Sequence, residues 1–167
     1  MLTASAGAIL ALAALCAYAA AVDALTMRLP GATNAAIFAL GLAASLALGR
    51  VPPLDGLLAA AVGGGLLLAV ALAFRARRGV DGLGLGDVKL VAAAGPWVGL
   101  EGLAPMLLLG SIGALAFVAA RRMRTGPVAL AERLPFGPFL CAAIVLVAGL
   151  RWLAGATPAD VLLGTPG

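Results

Sequence analysis

Residues 87–105, DVKLVAAAGPWVGLEGLAP, decide how often this chain crosses a bilayer. An apolar run fills positions 88–100, only thirteen residues. At about 1.5 Å per residue it reaches about 20 Å, against a hydrocarbon core of about 30 Å. Glu101 follows, and then a second apolar run, 102–120. Either the short run dips in and returns, or it starts in a pocket and pairs with the second run as a hairpin. Gly95-Pro96 offers a kink in the shorter arm.

The rest of the chain says what surrounds this stretch. Of 167 residues, 63% are hydrophobic and 11% charged, and the mean hydropathy is +1.14. A soluble domain carries roughly a quarter charged residues, so most of this surface cannot face water. Apolar runs lie at 2–22, 32–48, 56–74, 88–100, 102–120 and 137–153. The expected fold is all-α: one polytopic membrane bundle over residues 1–167, with about six transmembrane helices. No Lys or Arg precedes the first run, as a secretory signal requires, so it reads as a retained helix.

The charges orient the bundle. With six crossings, one side receives Arg28, Arg75, Arg77, Arg78, Lys89, Arg121, Arg122, Arg124 and Arg133, and the other receives Arg50 and Arg151. Cytoplasmic loops carry the excess of Lys and Arg, so the N-terminus is expected outside. A re-entrant 88–100 would move Arg121–Arg133 across and erase the asymmetry, which favours the hairpin. The same reading makes "FRARRG" and "ARRMRTG" topology signals. Basic residues without interleaved aromatics give no nucleic-acid surface. Cys16 and Cys141 lie far apart in apolar runs, and the chain has no His. They read as small apolar residues, with no metal site and no cofactor expected.

Two of the seven acids stand out. Asp23 ends the first apolar run, where the negative end of a helix dipole disfavours it. Its bland alternative is a membrane-edge charge paired with Arg28. Asp87 opens the fourth run after Gly84-Leu85-Gly86, where it also suits a helix N-cap. Two full crossings separate them, so both fall on one side of the membrane, at a helix end and a helix start. Two carboxylates sharing a water divide into a proton donor and a proton acceptor, which is the machinery of aspartic peptide hydrolysis. The stretch GLGLGDVKL, residues 82–90, lacks the final Gly of a dinucleotide fingerprint and the GK[ST] of a P-loop. Its glycines suit a close backbone approach beside Asp87.

These residues resemble the GxGD signature of the type IV prepilin peptidases. Gly84, Gly86, Asp87, Lys89 and Leu90 fit G-x-G-D-x-K-L, and Gly95, Trp97 and Gly99 fit the Gly-x-Trp-x-Gly end of the following helix. Asp23, followed by Leu29 and Pro30, resembles the family's first aspartate with its Ile/Leu-Pro pair, with Gly31 where Asn is usual. Pro135, Phe136, Gly137 and Pro138 resemble the family's P-F-G-P element, whose bland reading is a helix-breaking turn.

The resemblance implies a membrane aspartic endopeptidase with Asp23 and Asp87 catalytic and Gly84, Gly86 and Lys89 in the active-site loop. Lys89 either orients that loop or, the favoured reading, snorkels to headgroups. It implies prepilin or pseudopilin substrates with a short basic leader. The site would face the cytoplasm from the bacterial inner membrane. Longer members carry four cysteines in two CxxC pairs, associated with zinc and methylation. Their absence here points to a peptidase-only short form. Asp81 and Glu132 share the expected cytoplasmic side and could attract a basic leader. The alternatives are a small proton-coupled transporter, which needs acids at mid-depth or on both sides, and a non-enzymatic assembly subunit with the acids as caps.

Overall fold

The computed structural model describes residues 2–79, 84–125 and 135–154. Among the described residues all regular structure is helical. The helices are α1 (Leu2–Thr26), α2 (Gly31–Leu48), α3 (Pro53–Arg78), α4 (Leu85–Thr125) and α5 (Gly137–Gly149), which ends in a π-helical turn, Leu150–Ala154. Four of them, α1 to α4, are long and apolar enough to cross a membrane, and α5 is a shorter apolar helix.

Several helices outrun their apolar stretches, because backbone hydrogen bonding does not stop where side chains turn polar. α1 continues to Thr26, so Asp23 lies in its last turn. It ends where Met27 adopts φ 53° and donates its N–H to the Asp23 carbonyl at 2.8 Å. Pro30 and Pro52 precede α2 and α3, where a missing N–H costs nothing. Gly49 and Gly79 close the same two helices at positive φ.

Among the described residues five helices replace the expected six, because runs 88–100 and 102–120 join in α4. The continuity is interrupted at Gly99, with φ 62° and ψ −178°. The break falls there rather than at Gly95-Pro96. The chain doubles back at this point. A Cβ built on Gly63 of α3 would lie 2.9 Å from both Val91 and Leu103 side-chain carbons. In an unbroken helix those two residues would be about 18 Å apart along the axis. The first arm, residues 85–98, and the second, 100–125, therefore pack side by side.

A break in an apolar helix strands backbone groups that lipid cannot satisfy. Side chains from two other helices take them. Trp152 Nε1 donates to the Trp97 carbonyl at 2.8 Å, and Arg151 Nη1 to the Val98 carbonyl at 2.7 Å. The Leu100 N–H donates to Asp55 Oδ1 at 3.3 Å. Arg151 also pairs with Asp55 and Glu101, at 3.8 and 3.5 Å. Trp97 and Trp152 are fully buried, with ring centroids 5.1 Å apart, and Trp97 Nε1 donates to the Ile37 carbonyl at 2.9 Å. Trp152→Phe keeps most of the ring volume and strands the Trp97 carbonyl. It is expected to cost about 1–3 kcal/mol, read as a lower denaturation midpoint in bicelles.

Small residues let α3 and the first arm of α4 approach at backbone distance. A Cβ on Gly95 would fall 2.5 Å from the Gly56 carbonyl oxygen, and one on Gly56 2.8 Å from Pro96 Cα. Without a hydrophobic drive between helices in lipid, such close packing is a main source of association. The outer face of α3 carries exposed Leu57, Leu58, Val62, Leu66 and Val70, as a lipid-facing surface would.

Candidate active site

The end of the bundle opposite Gly99 holds both singled-out acids. Asp23 comes from the last turn of α1 and is 6% exposed. Asp87 comes from the first turn of α4 and is 9% exposed. They lie within electrostatic reach of one another. Buried polar groups in apolar surroundings are costly and need partners, and each acid is shaped by a neighbouring glycine.

Asp23 Oδ2 accepts the Gly137 N–H at 3.1 Å. Gly137 opens α5, where the first backbone N–H groups have no partner inside the helix and favour an anion. A Cβ on Gly137 would lie 2.6 Å from Asp23 Oδ2, so no other residue lets this N–H come so close. Pro135 and Phe136 lead into the turn half-buried, and Pro138 supplies a first-turn proline. The P-F-G-P element, readable as a mere helix breaker, thus delivers a hydrogen-bond donor to an acid 114 residues away.

Asp87 begins α4 by donating its N–H to the Gly84 carbonyl at 3.1 Å. A Cβ on Gly84 would meet Asp87 Oδ2 at 3.2 Å, so the carboxylate lies back over the glycine turn. A Cβ on Gly86 would meet Leu29 Cβ at 2.9 Å. The segment between α1 and α2, carrying Leu29 and Pro30, therefore seats directly on the loop that presents Asp87. Lys89, placed by its motif in the active-site loop, is exposed one turn into α4. Asp81 and Glu132 lie outside the described residues.

One contributor, Asn34, escaped the sequence reading. Asn34 in the first turn of α2 is 4% exposed and donates from Nδ2 to the Gly86 carbonyl at 3.2 Å. It is the chain's only carboxamide, with no Gln and no other Asn, which is a signal the sequence did carry. Cys16 and Cys141, distant along the chain, meet as buried free thiols where α1 packs on α5, and Cys141 lies within electrostatic reach of both acids. Among the described residues, no three of His, Cys, Asp and Glu gather closely enough to hold a metal ion.

Residues 10–119 match the type IV leader peptidase family. A prepilin leader peptidase/N-methyltransferase of Burkholderia pseudomallei (strain 1026b) is 35% identical over 162 residues, covering 95% of this chain and 50% of that protein. One from Xanthomonas campestris pv. campestris is 37% identical over 120 residues, 69% of this chain and 40% of the relative. The leader peptidase HopD of Escherichia coli is 37% identical over 101 residues, 60% of this chain and 65% of HopD. The chain thus spans about half the length of the first of these relatives. No solved structure matches. The GxGD loop, the first aspartate with its Leu-Pro pair and the match over residues 10–119 place this chain in the type IV leader peptidase family.

Proposed function

We propose that this chain is a membrane aspartic endopeptidase that removes a short basic leader from prepilins or pseudopilins. The observation that carries the reading is the burial of Asp23 and Asp87, from separate helices, at one end of the bundle. In this mechanism the two carboxyls hold one proton between them and a water lies between their oxygens. The ionised carboxylate takes a proton as the water oxygen bonds to the scissile carbonyl carbon. The protonated carboxyl gives its proton to the carbonyl oxygen. Collapse of the tetrahedral intermediate breaks the C–N bond: the departing amine takes up the proton acquired from water, and one hydroxyl of the intermediate returns its proton to the other carboxylate, so the pair again holds one proton. The Gly137 N–H holds Asp23 in place throughout.

The chain crosses the inner membrane six times, with the two arms of α4 as separate crossings and the N-terminus outside. Both aspartates then lie at the cytoplasmic boundary, on the same side as Arg75, Arg77 and Arg78 at the end of α3. A leader on the cytoplasmic side and an apolar substrate helix in the bilayer meet the acids together. The one-ended location of both acids favours this reading over a proton path, which needs acids at other depths.

The test is co-expression of the chain with a prepilin in a host that lacks leader peptidase. The expected outcome is a shortened pilin on a gel. An unshortened pilin, with the chain present in the membrane fraction, would contradict the proposal.

A further inference from the structure

Asn34 makes a costly arrangement. Its side chain is almost wholly buried in an apolar helix, and its Oδ1 has no partner among the described residues. Native structures leave few buried polar atoms unpaired, and each needs a reason. Helix capping is not the reason, because the Asn34 backbone N–H already bonds the Pro30 carbonyl at 3.3 Å. Nor does Gly86 need the amide, since a carbonyl in the first turn of a helix accepts from the N–H four residues on. The Asn34 Nδ2 uses that carbonyl's second lone pair. The bond relieves no shortage at Gly86 and leaves Oδ1 stranded. What it does is tie α2 to the peptide directly before Asp87. Leu29 also packs against Gly86, at a distance that admits no Cβ.

We propose that Asn34 is a positioning residue, whose amide clamps the Gly86 carbonyl and so holds Asp87 at working distance from Asp23. This rests on the two-aspartate reading above. Asn34 touches neither substrate nor water in this role. Release of the clamp lets the first turn of α4 shift, and a displacement of about 1 Å at a reacting group costs about a hundredfold in rate. The loss therefore falls on kcat, while the surface that binds substrate is unchanged.

The experiment uses the full chain in bicelles and a synthetic peptide with a basic leader, a glycine at the cleavage point and an apolar helix. Asn34→Leu removes the amide at similar volume. The expected result is a kcat lowered about ten- to a hundredfold with KM within about twofold of the parent. Asn34→Thr and Asn34→Val form a nearly isosteric pair that differs in one hydroxyl donor. Thr is expected to exceed Val about tenfold in kcat, and this comparison stands even if Asn34→Leu does not fold. Parent kcat in Asn34→Leu, a loss confined to KM, or equal rates for Thr and Val would overturn the proposal. Asp87→Asn, assayed alongside, separates the two claims. If it is inactive while the Asn34 variants behave as the parent, only the clamp fails. If it cleaves normally, the two-aspartate reading fails and takes the clamp with it.

Discussion

Asp23→Asn and Asp87→Asn are each expected to lower prepilin cleavage at least about a thousandfold, with the double variant no slower than either single one. General acid and base groups contribute about 10² to 10⁴ each. Groups that act as one unit lose nearly everything when either is removed, so their effects do not add. Asn keeps the volume and polarity of Asp, so insertion and the packing of α1 and α4 persist. In Asp23→Asn the Gly137 N–H still finds an oxygen if the new amide turns its carbonyl toward it. The measurement is the rate of the size shift of a purified prepilin, with membrane-fraction abundance as the control. Additive losses would show that the acids act separately. Normal cleavage by either variant would remove that aspartate from the reaction.

Gly137→Ala is the second large effect, at a position with no reactive group. The new methyl would start 2.6 Å from Asp23 Oδ2, well inside van der Waals contact. The site has two ways to relax. Asp23 swings away and loses the 3.1 Å hydrogen bond, or α5 retreats and carries Phe136 and Leu140 out of the core with it. Either moves the carboxylate by the better part of an ångström, so cleavage is expected to fall about a hundredfold. Gly137→Val, with more bulk at the same point, falls further. Gly31→Ala is the matched control, because nothing lies within 4 Å of a Cβ there, and it is expected to cleave at the parent rate. The peptide assay in bicelles reads all three. Full activity in Gly137→Ala would show that Asp23 does not depend on the start of α5.

Much of this was legible in the sequence, because hydropathy and the two aspartates act locally. Apolar runs mark helices in lipid without any knowledge of partners, and Asp23 and Asp87 stand out as acids at the ends of such runs. The position of the hairpin bend was not legible. Pro96 is the stronger helix breaker by local rules, yet the break sits at Gly99. There Asp55, Arg151 and Trp152, from α3 and the end of α5, bond the stranded backbone groups. That choice belongs to tertiary contacts. Lys89 neighbours the acid along the chain, and helix periodicity turns its side chain outward, as a lysine reaching for headgroups requires. Gly137 and Asn34 work through partners 114 and 52 residues away, which no local pattern reveals. The lone carboxamide in an apolar helix was still a visible anomaly.

The central claim is that Asp23 and Asp87 converge, and disulfide trapping measures it directly. Cys16→Ala and Cys141→Ala supply a thiol-free background. Asp23→Cys and Asp87→Cys are added, with a protease site engineered between α2 and α3. The expected result is that mild oxidation in native membranes leaves the two fragments joined after proteolysis, until a reductant separates them. Asp23→Cys with Asp55→Cys, at opposite ends of the bundle, stays unjoined. Fragments that separate for both pairs alike would contradict the convergence of the two aspartates.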